Sequence, residues 1–118
     1  MGFVIYHNPR CSKSRKTLDI LRTAGIEPRI VEYLREPPDS ATILDVAERL
    51  ELPVKELLRR GEDAFKQAAN LPELHEDEAL ARWIADHPIT LQRPIVVDSD
   101  TGRAIIGRPP ENVTELLS

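Results

Sequence analysis

The sequence predicts an α/β domain: a mixed sheet of about four strands with a helical insertion between the second and third strands. Three observations predict it. A strand–helix–strand pattern opens the chain, the middle is helical, and a strand–turn–strand pattern follows before a final short helix. A helical crossover joins parallel strands, whereas a tight turn joins antiparallel ones, so the sheet must be mixed.

Each element has a local reason. Residues 2–6 carry the apolar run Phe3-Val4-Ile5-Tyr6 and form a short buried strand. Residues 12–24 form a helix with Leu18, Leu21 and Ala24 on one face, and Gly25 and Pro28 supply its stop. Arg29 to Leu34 mixes β-branched and apolar residues, which suits a second strand. Pro37-Pro38-Asp39-Ser40 is a turn ending in a good N-cap, and Ile43, Leu44, Ala47 and Leu50 follow it at helical spacing. Val54, Leu57 and Leu58 after Pro53 suggest a short helix, and Ala64, Phe65, Ala68 and Ala69 another. Ala79, Leu80, Trp83 and Ile84 form the stripe of a further helix that stops before Pro88. Ile95-Val96-Val97-Asp98 is a clear strand, Ser99-Asp100-Thr101-Gly102 is turn chemistry, and Arg103 to Gly107 is the returning strand. Pro109-Pro110-Glu111 opens the last helix, with proline in the tolerated first turn. A thioredoxin-like sheet suits this order. In such folds a proline before the third strand, here Pro94, is often cis and borders the active thiol.

At 118 residues the expectation is a single domain, residues 1–118, with the helical insertion at roughly 39–87. No repeat, low-complexity tract or Gly/Ser linker interrupts it. There is no apolar stretch of signal-peptide or membrane-span length, so a cytoplasmic protein without membrane contact is expected. The net charge of −4 argues against nonspecific nucleic-acid binding. The single cysteine excludes an internal disulfide and suits a reducing compartment. One Cys and three scattered His lack any close ligand spacing, so no metal is expected.

That cysteine, Cys11, stands at a strand-to-helix turn in Tyr6-His7-Asn8-Pro9-Arg10-Cys11-Ser12-Lys13-Ser14-Arg15. An ordinary thiol is only a few per cent thiolate at neutral pH. Free N–H groups at a helix start and nearby cations favour the thiolate. The polar, cationic setting of Arg10, Lys13 and Arg15 therefore marks Cys11 as reactive rather than as a buried small hydrophobe. Ser12 and Ser14 can donate to a thiolate. His7 either supports the thiolate electrostatically or is a strand-end histidine bonded to a carbonyl. His75 and His87 sit at helix boundaries, where capping or exposure explains them. Arg93-Pro94 and Arg108-Pro109 place two arginines on extended backbone, because the residue before proline avoids helical geometry. Arg59, in Leu57-Leu58-Arg59-Arg60, is a helix-end cation. If Arg59, Arg93 and Arg108 met Cys11 they would make an oxyanion site, since guanidinium forks grip tetrahedral oxyanions bidentately. The phosphate loop of tyrosine phosphatases has Cys, five residues and Arg; here that position is Thr17, and no Walker loop or dinucleotide glycine pattern occurs.

The chain resembles the glutaredoxin-coupled arsenate reductase family over nearly its whole length. The carriers are His7-Asn8-Pro9-Arg10-Cys11, Ser14-Arg15 with Thr17-Leu18, Tyr33-Leu34 with Pro37-Pro38, Leu57-Leu58-Arg59, His87-Pro88, Arg93-Pro94-Ile95-Val96-Val97 and Gly107-Arg108-Pro109. The resemblance implies reduction of arsenate to arsenite, with Cys11 attacking the oxyanion to give a thiol–arsenate adduct. It implies that His7 helps keep the thiol ionised and that Ser14 bonds the sulfur. Arg59, Arg93 and Arg108 would hold arsenate or a related oxyanion, with Arg15 as an accessory. Glutathione would attack the adduct as external reductant, glutaredoxin would then remove it, and no cofactor would be bound. A single thiol needs an outside one to complete a two-electron reduction in any case. Reductases of the family resemble Cys-Gly-Thr-Ser-Arg, where this chain has Cys11-Ser12-Lys13-Ser14-Arg15. Two other functions suit the pattern: a glutathione-linked thiol oxidoreductase acting on another substrate, and a noncatalytic partner-binding regulator of the same fold. Such regulators usually resemble Cys-x-x-Cys, and Ser14 at the second position argues against that class.

Overall fold

The computed structural model of the chain describes Gly2 to Leu117. Two compact units emerge, one from Met1–Glu36 with Arg93–Ser118 and one from Pro37–Gln92. The insertion expected at 39–87 lies inside the second unit.

The first unit holds strand β1 (Phe3–His7), helix α1 (Ser12–Thr23), strand β2 (Arg29–Glu32) and the hairpin of β3 (Ile95–Asp98) and β4 (Arg103–Ile106). A 3-10 helix, Pro110–Leu116, closes it. The sheet order is β2-β1-β3-β4. β1 runs parallel to β2 and antiparallel to β3, which pairs antiparallel with β4. This is the mixed four-stranded sheet expected from the sequence. The register sets Ile5 opposite Val96 and Val96 opposite Ile105, one apolar row across the sheet. Onto that row pack Leu18 and Leu21 from α1 and Val113 and Leu116 from the closing helix. Each fully buried aliphatic side chain contributes about 1.5–3 kcal/mol relative to exposure. The two-residue period of β1 also carries His7 inward, to 7% exposure.

Helix α1 stops one residue earlier than its apolar spacing suggests. The Gly25 N–H donates to the Arg22 carbonyl (2.9 Å) and the Ile26 N–H to the Leu21 carbonyl (2.9 Å). That is a Schellman ending, and Gly25 supplies its left-handed residue at φ +82°. Ala24, assigned to the buried stripe, is instead the exposed C-cap. Strand β2 is also shorter than expected. The N–H groups of Arg35 and Glu36 both donate to the Glu32 carbonyl (2.8 and 2.9 Å), turning the chain before Tyr33-Leu34 can extend the ladder. Arg93-Pro94 and Arg108-Pro109 are cis.

In the second unit, helix α2 (Ser40–Leu50) is N-capped by Asp39, whose Oδ1 accepts the Thr42 N–H at 2.8 Å. Its buried residues Ile43, Val46 and Ala47 belong to the helix that packs on α4 (Asp77–Asp86), which buries Leu80, Ala81, Trp83 and Ile84. Val54–Leu57 and Pro88–Thr90 are 3-10 helices, and α3 is a single turn, Asp63–Lys66. The longer helix expected through Ala68 and Ala69 does not form. α3 buries no residue, and one uncovered turn gains too little to offset helix nucleation. Among the described residues no helix is long and apolar enough to cross a membrane.

Candidate active site

Between β1 and α1 the chain turns through Asn8-Pro9-Arg10, and Cys11 becomes the N-cap of α1 with extended backbone (φ −92°, ψ 121°). Its N–H donates to the Asn8 carbonyl at 3.0 Å, and its carbonyl accepts the Arg15 N–H at 3.0 Å, the first bond of the helix. An N-cap side chain faces the unpaired N–H groups of the next turn. The sulfur is half-buried here. Burial raises its pKa, but the backbone N–H groups of Ser14 and Lys13 and the guanidinium of Arg93 outweigh that, leaving the thiol below its ordinary value. Each stabilises the anion: the N–H groups by pointing partial positive charge at it, Arg93 by hydrogen bonding and full charge.

Behind the sulfur lies a buried polar group. Ser14 is fully buried, and its Oγ accepts the Asn8 N–H at 3.1 Å. The same Oγ lies 2.6 Å from His7 Nδ1 in a hydrogen bond. Burial lowers the His7 pKa, the Arg22 and Arg15 cations lower it further, and Glu32 opposes them. A neutral imidazole at pH 7 follows, and its direct hydrogen-bond partner is Ser14. Any influence of His7 on the sulfur through this bond is dipolar, transmitted by Ser14. Arg15 is exposed, and its Nη1–H donates to the Pro9 carbonyl at 2.9 Å, clasping the loop.

Of the arginines, Arg93 acts on Cys11 itself. Arg108 stands beside it, its Nη1–H donating to the Arg93 carbonyl at 3.4 Å. The pair is drawn together by the Gly107 N–H, which donates to the Pro94 carbonyl at 2.9 Å. Arg59 belongs to the second unit. There its backbone N–H donates to the Thr90 carbonyl (2.6 Å), beside a Leu58–Leu91 bridge, and its Nε pairs with Glu62 at 3.3 Å. His87, also in that unit, stacks on Trp83 at 4.2 Å and bonds the Trp83 carbonyl through Nδ1 at 2.8 Å.

Asn8 is the site residue that sequence reasoning left without a role. Asn followed by Pro before a helix start is a turn signal, and it was the available clue. Among the described residues no group of three or more His, Cys, Asp and Glu is arranged to hold a metal ion.

Comparison with known proteins identifies relatives of this arrangement. The ArsC family model matches residues 6–116. The chain is 46% identical over 114 residues to an uncharacterized Escherichia coli protein, YfgD, spanning 96% of this chain and 94% of that protein. It is 44% identical over 115 residues to an arsenate reductase of Neisseria meningitidis, spanning 96% of each. Among solved structures, an arsenate reductase from Vibrio cholerae matches with a TM-score of 0.86 at 40% identity, over 98% of this chain and 97% of that one.

Proposed function

As a member of the ArsC family, to which this chain belongs, we propose that the protein is a thiol-dependent oxidoreductase reducing arsenate to arsenite through Cys11. The observation that carries the reading is the setting of that thiol: an N-cap position, two helix N–H groups and the Arg93 guanidinium together lower its pKa. An oxyanion and a thiolate are both negative, so attack requires cations that neutralise the approach. Arg93 and Arg108 are suited to this, and the resemblance gives Arg59 the same task. Arg15 serves as an accessory.

In the first step the Cys11 thiolate bonds to arsenic(V) and one arsenate hydroxyl leaves as water, carrying away the equivalent of the thiol proton. Arsenic stays pentavalent. Glutathione then attacks the Cys11 sulfur. The new S–S bond forms as the S–As bond breaks, its electron pair passes to arsenic, and arsenite departs. Cys11 is left as a mixed disulfide, and a glutaredoxin thiol attacks the glutathione sulfur to restore it. Two thiols have become one disulfide, which balances the reduction of arsenic by two electrons. His7 and Ser14 act behind the sulfur, holding the turn from which it attacks.

The experiment is arsenite production from arsenate with glutathione and glutaredoxin, comparing wild type with Cys11→Ser. Wild type is expected to turn over and the serine variant to lose activity to background. A wild type that forms no arsenite would sink the arsenate reading. If it reduced glutathione mixed disulfides instead, the substrate would be a disulfide.

A further inference from the structure

Asn8 is buried to 8% exposure and contributes three hydrogen bonds to the loop that presents the thiol. Its side-chain Oδ1 accepts the Arg10 N–H at 3.0 Å, an Asx-turn that fixes the path through Pro9. Its carbonyl accepts the Cys11 N–H at 3.0 Å, closing the turn at the cysteine. Its own N–H donates to Ser14 Oγ at 3.1 Å, tying the loop to the first turn of α1. These bonds span the residue before the loop's proline, the N-cap and the buried serine three positions on.

We propose that Asn8 is the positioning residue of this site: its side-chain turn and its two backbone bonds hold Cys11 at the head of α1, with the sulfur against the first helical N–H groups. Asn8 has no assigned contact with the substrate and acts through Cys11. The proposal deepens the function proposed above, because it takes Cys11 to be the reactive thiol. The physical content is an orientation. Without the Oδ1 acceptor, the Arg10 N–H loses its partner and the Pro9-Arg10 segment is held only by the backbone bonds of Asn8 and by Arg15, which loosens it. The N-cap geometry that aims the sulfur at the Lys13 and Ser14 N–H groups then becomes one conformer among several. A thiolate averaged over those conformers receives less stabilisation from the helix start.

The test is the pH dependence of Cys11 alkylation by iodoacetamide in wild type, Asn8→Ala and Asn8→Ser, with thermal unfolding measured alongside. Asn8→Ala is expected to fold and to raise the half-maximal pH by about one unit. At pH 6 its alkylation should slow about threefold, because a tenfold loss of thiolate is partly offset by greater nucleophilicity. Serine makes the same turn more weakly, so Asn8→Ser should lie between the two. A folded Asn8→Ala whose profile superimposes on wild type overturns the proposal, since a purely structural role would change unfolding and leave the thiol untouched. A wild-type half-maximum at or above about 8.5 also overturns it, together with the activated-thiol reading. Should the alanine variant not fold, Asn8→Ser decides alone: a half-maximum raised by a few tenths of a unit supports the proposal, and an unchanged one overturns it. Because the probe is iodoacetamide, the result is independent of whether wild type makes arsenite.

Discussion

At the scale of single residues the site is a set of hydrogen bonds whose strengths depend on protonation. His7 illustrates the sign. Its folded pKa lies below its ordinary value of about 6.5, chiefly because burial disfavours the imidazolium. Above that ordinary value the ring is neutral in both folded and unfolded chains, and its full contribution to stability is present. As pH falls, the unfolded chain takes up the proton first, so that contribution is lost as pH drops through the folded pKa. Stability measured by urea unfolding should therefore decline below about pH 6.5 more steeply in wild type than in His7→Gln. Equal slopes would mean that the imidazole titrates alike in both states. The exposed cations Arg10, Lys13 and Arg15 near the thiol could be anticipated from residue type. The Ser14–His7 bond could not, because it joins residues seven apart across a turn whose geometry no pairwise spacing rule describes.

At the scale of elements the close approach of Gly107, the residue that follows β4, to Thr17 of α1 sets the tolerance of the site. A Cβ built on Gly107 would lie 2.6 Å from Thr17 Oγ1 and 2.8 Å from Pro94 Cγ. Thr17 is fully buried, and its hydroxyl already donates to the Lys13 carbonyl at 2.8 Å, so it cannot easily give way. Gly107→Ala should cost about 1–3 kcal/mol by overpacking, read as a lowered urea midpoint. An unchanged midpoint would show that the helix and strand separate without cost. Element identity was largely legible because β1, α1, α2, α4 and the hairpin each carry an apolar period that burial rewards. Boundaries were less so. The Glu32 carbonyl ends β2 by accepting two N–H groups from the turn, and the Schellman ending excludes Ala24; both are backbone events to which side-chain spacing is blind. Val46 was missed because it thickens a stripe that Ile43 and Ala47 already define.

At the scale of the whole molecule the chemistry is bounded by one thiol on a chain of net charge −4. The local excess of cations at the loop is therefore a feature of placement, with acidic residues distributed elsewhere. The topology brings the end of β1, the start of α1 and the residues flanking β3 and β4 into one unit, which is why Arg93 reaches Cys11 and Arg108 reaches Arg93 although they are far apart in sequence. Intermediates can be counted on such a molecule. With arsenate and glutathione but no glutaredoxin, intact-mass measurement should show one glutathione per chain, absent in Cys11→Ser and released by added glutaredoxin. More than one adduct per chain would contradict a reaction confined to the cysteine. The convergence of Arg93 on the thiol was legible only as a conditional, because sequence gives residue types and the sheet order decides which meet.

The half-exposed sulfur at the head of α1 also fixes how this protein can age. A chain with one thiol has a covalent valence of one. Air oxidation through sulfur can join two copies and then stops, because the joined pair has no thiol left to extend a polymer. The bond that would form such a pair consumes the same atom that the proposed reaction needs. Covalent association and catalytic competence are therefore mutually exclusive states of each molecule, and a reductant that restores one abolishes the other.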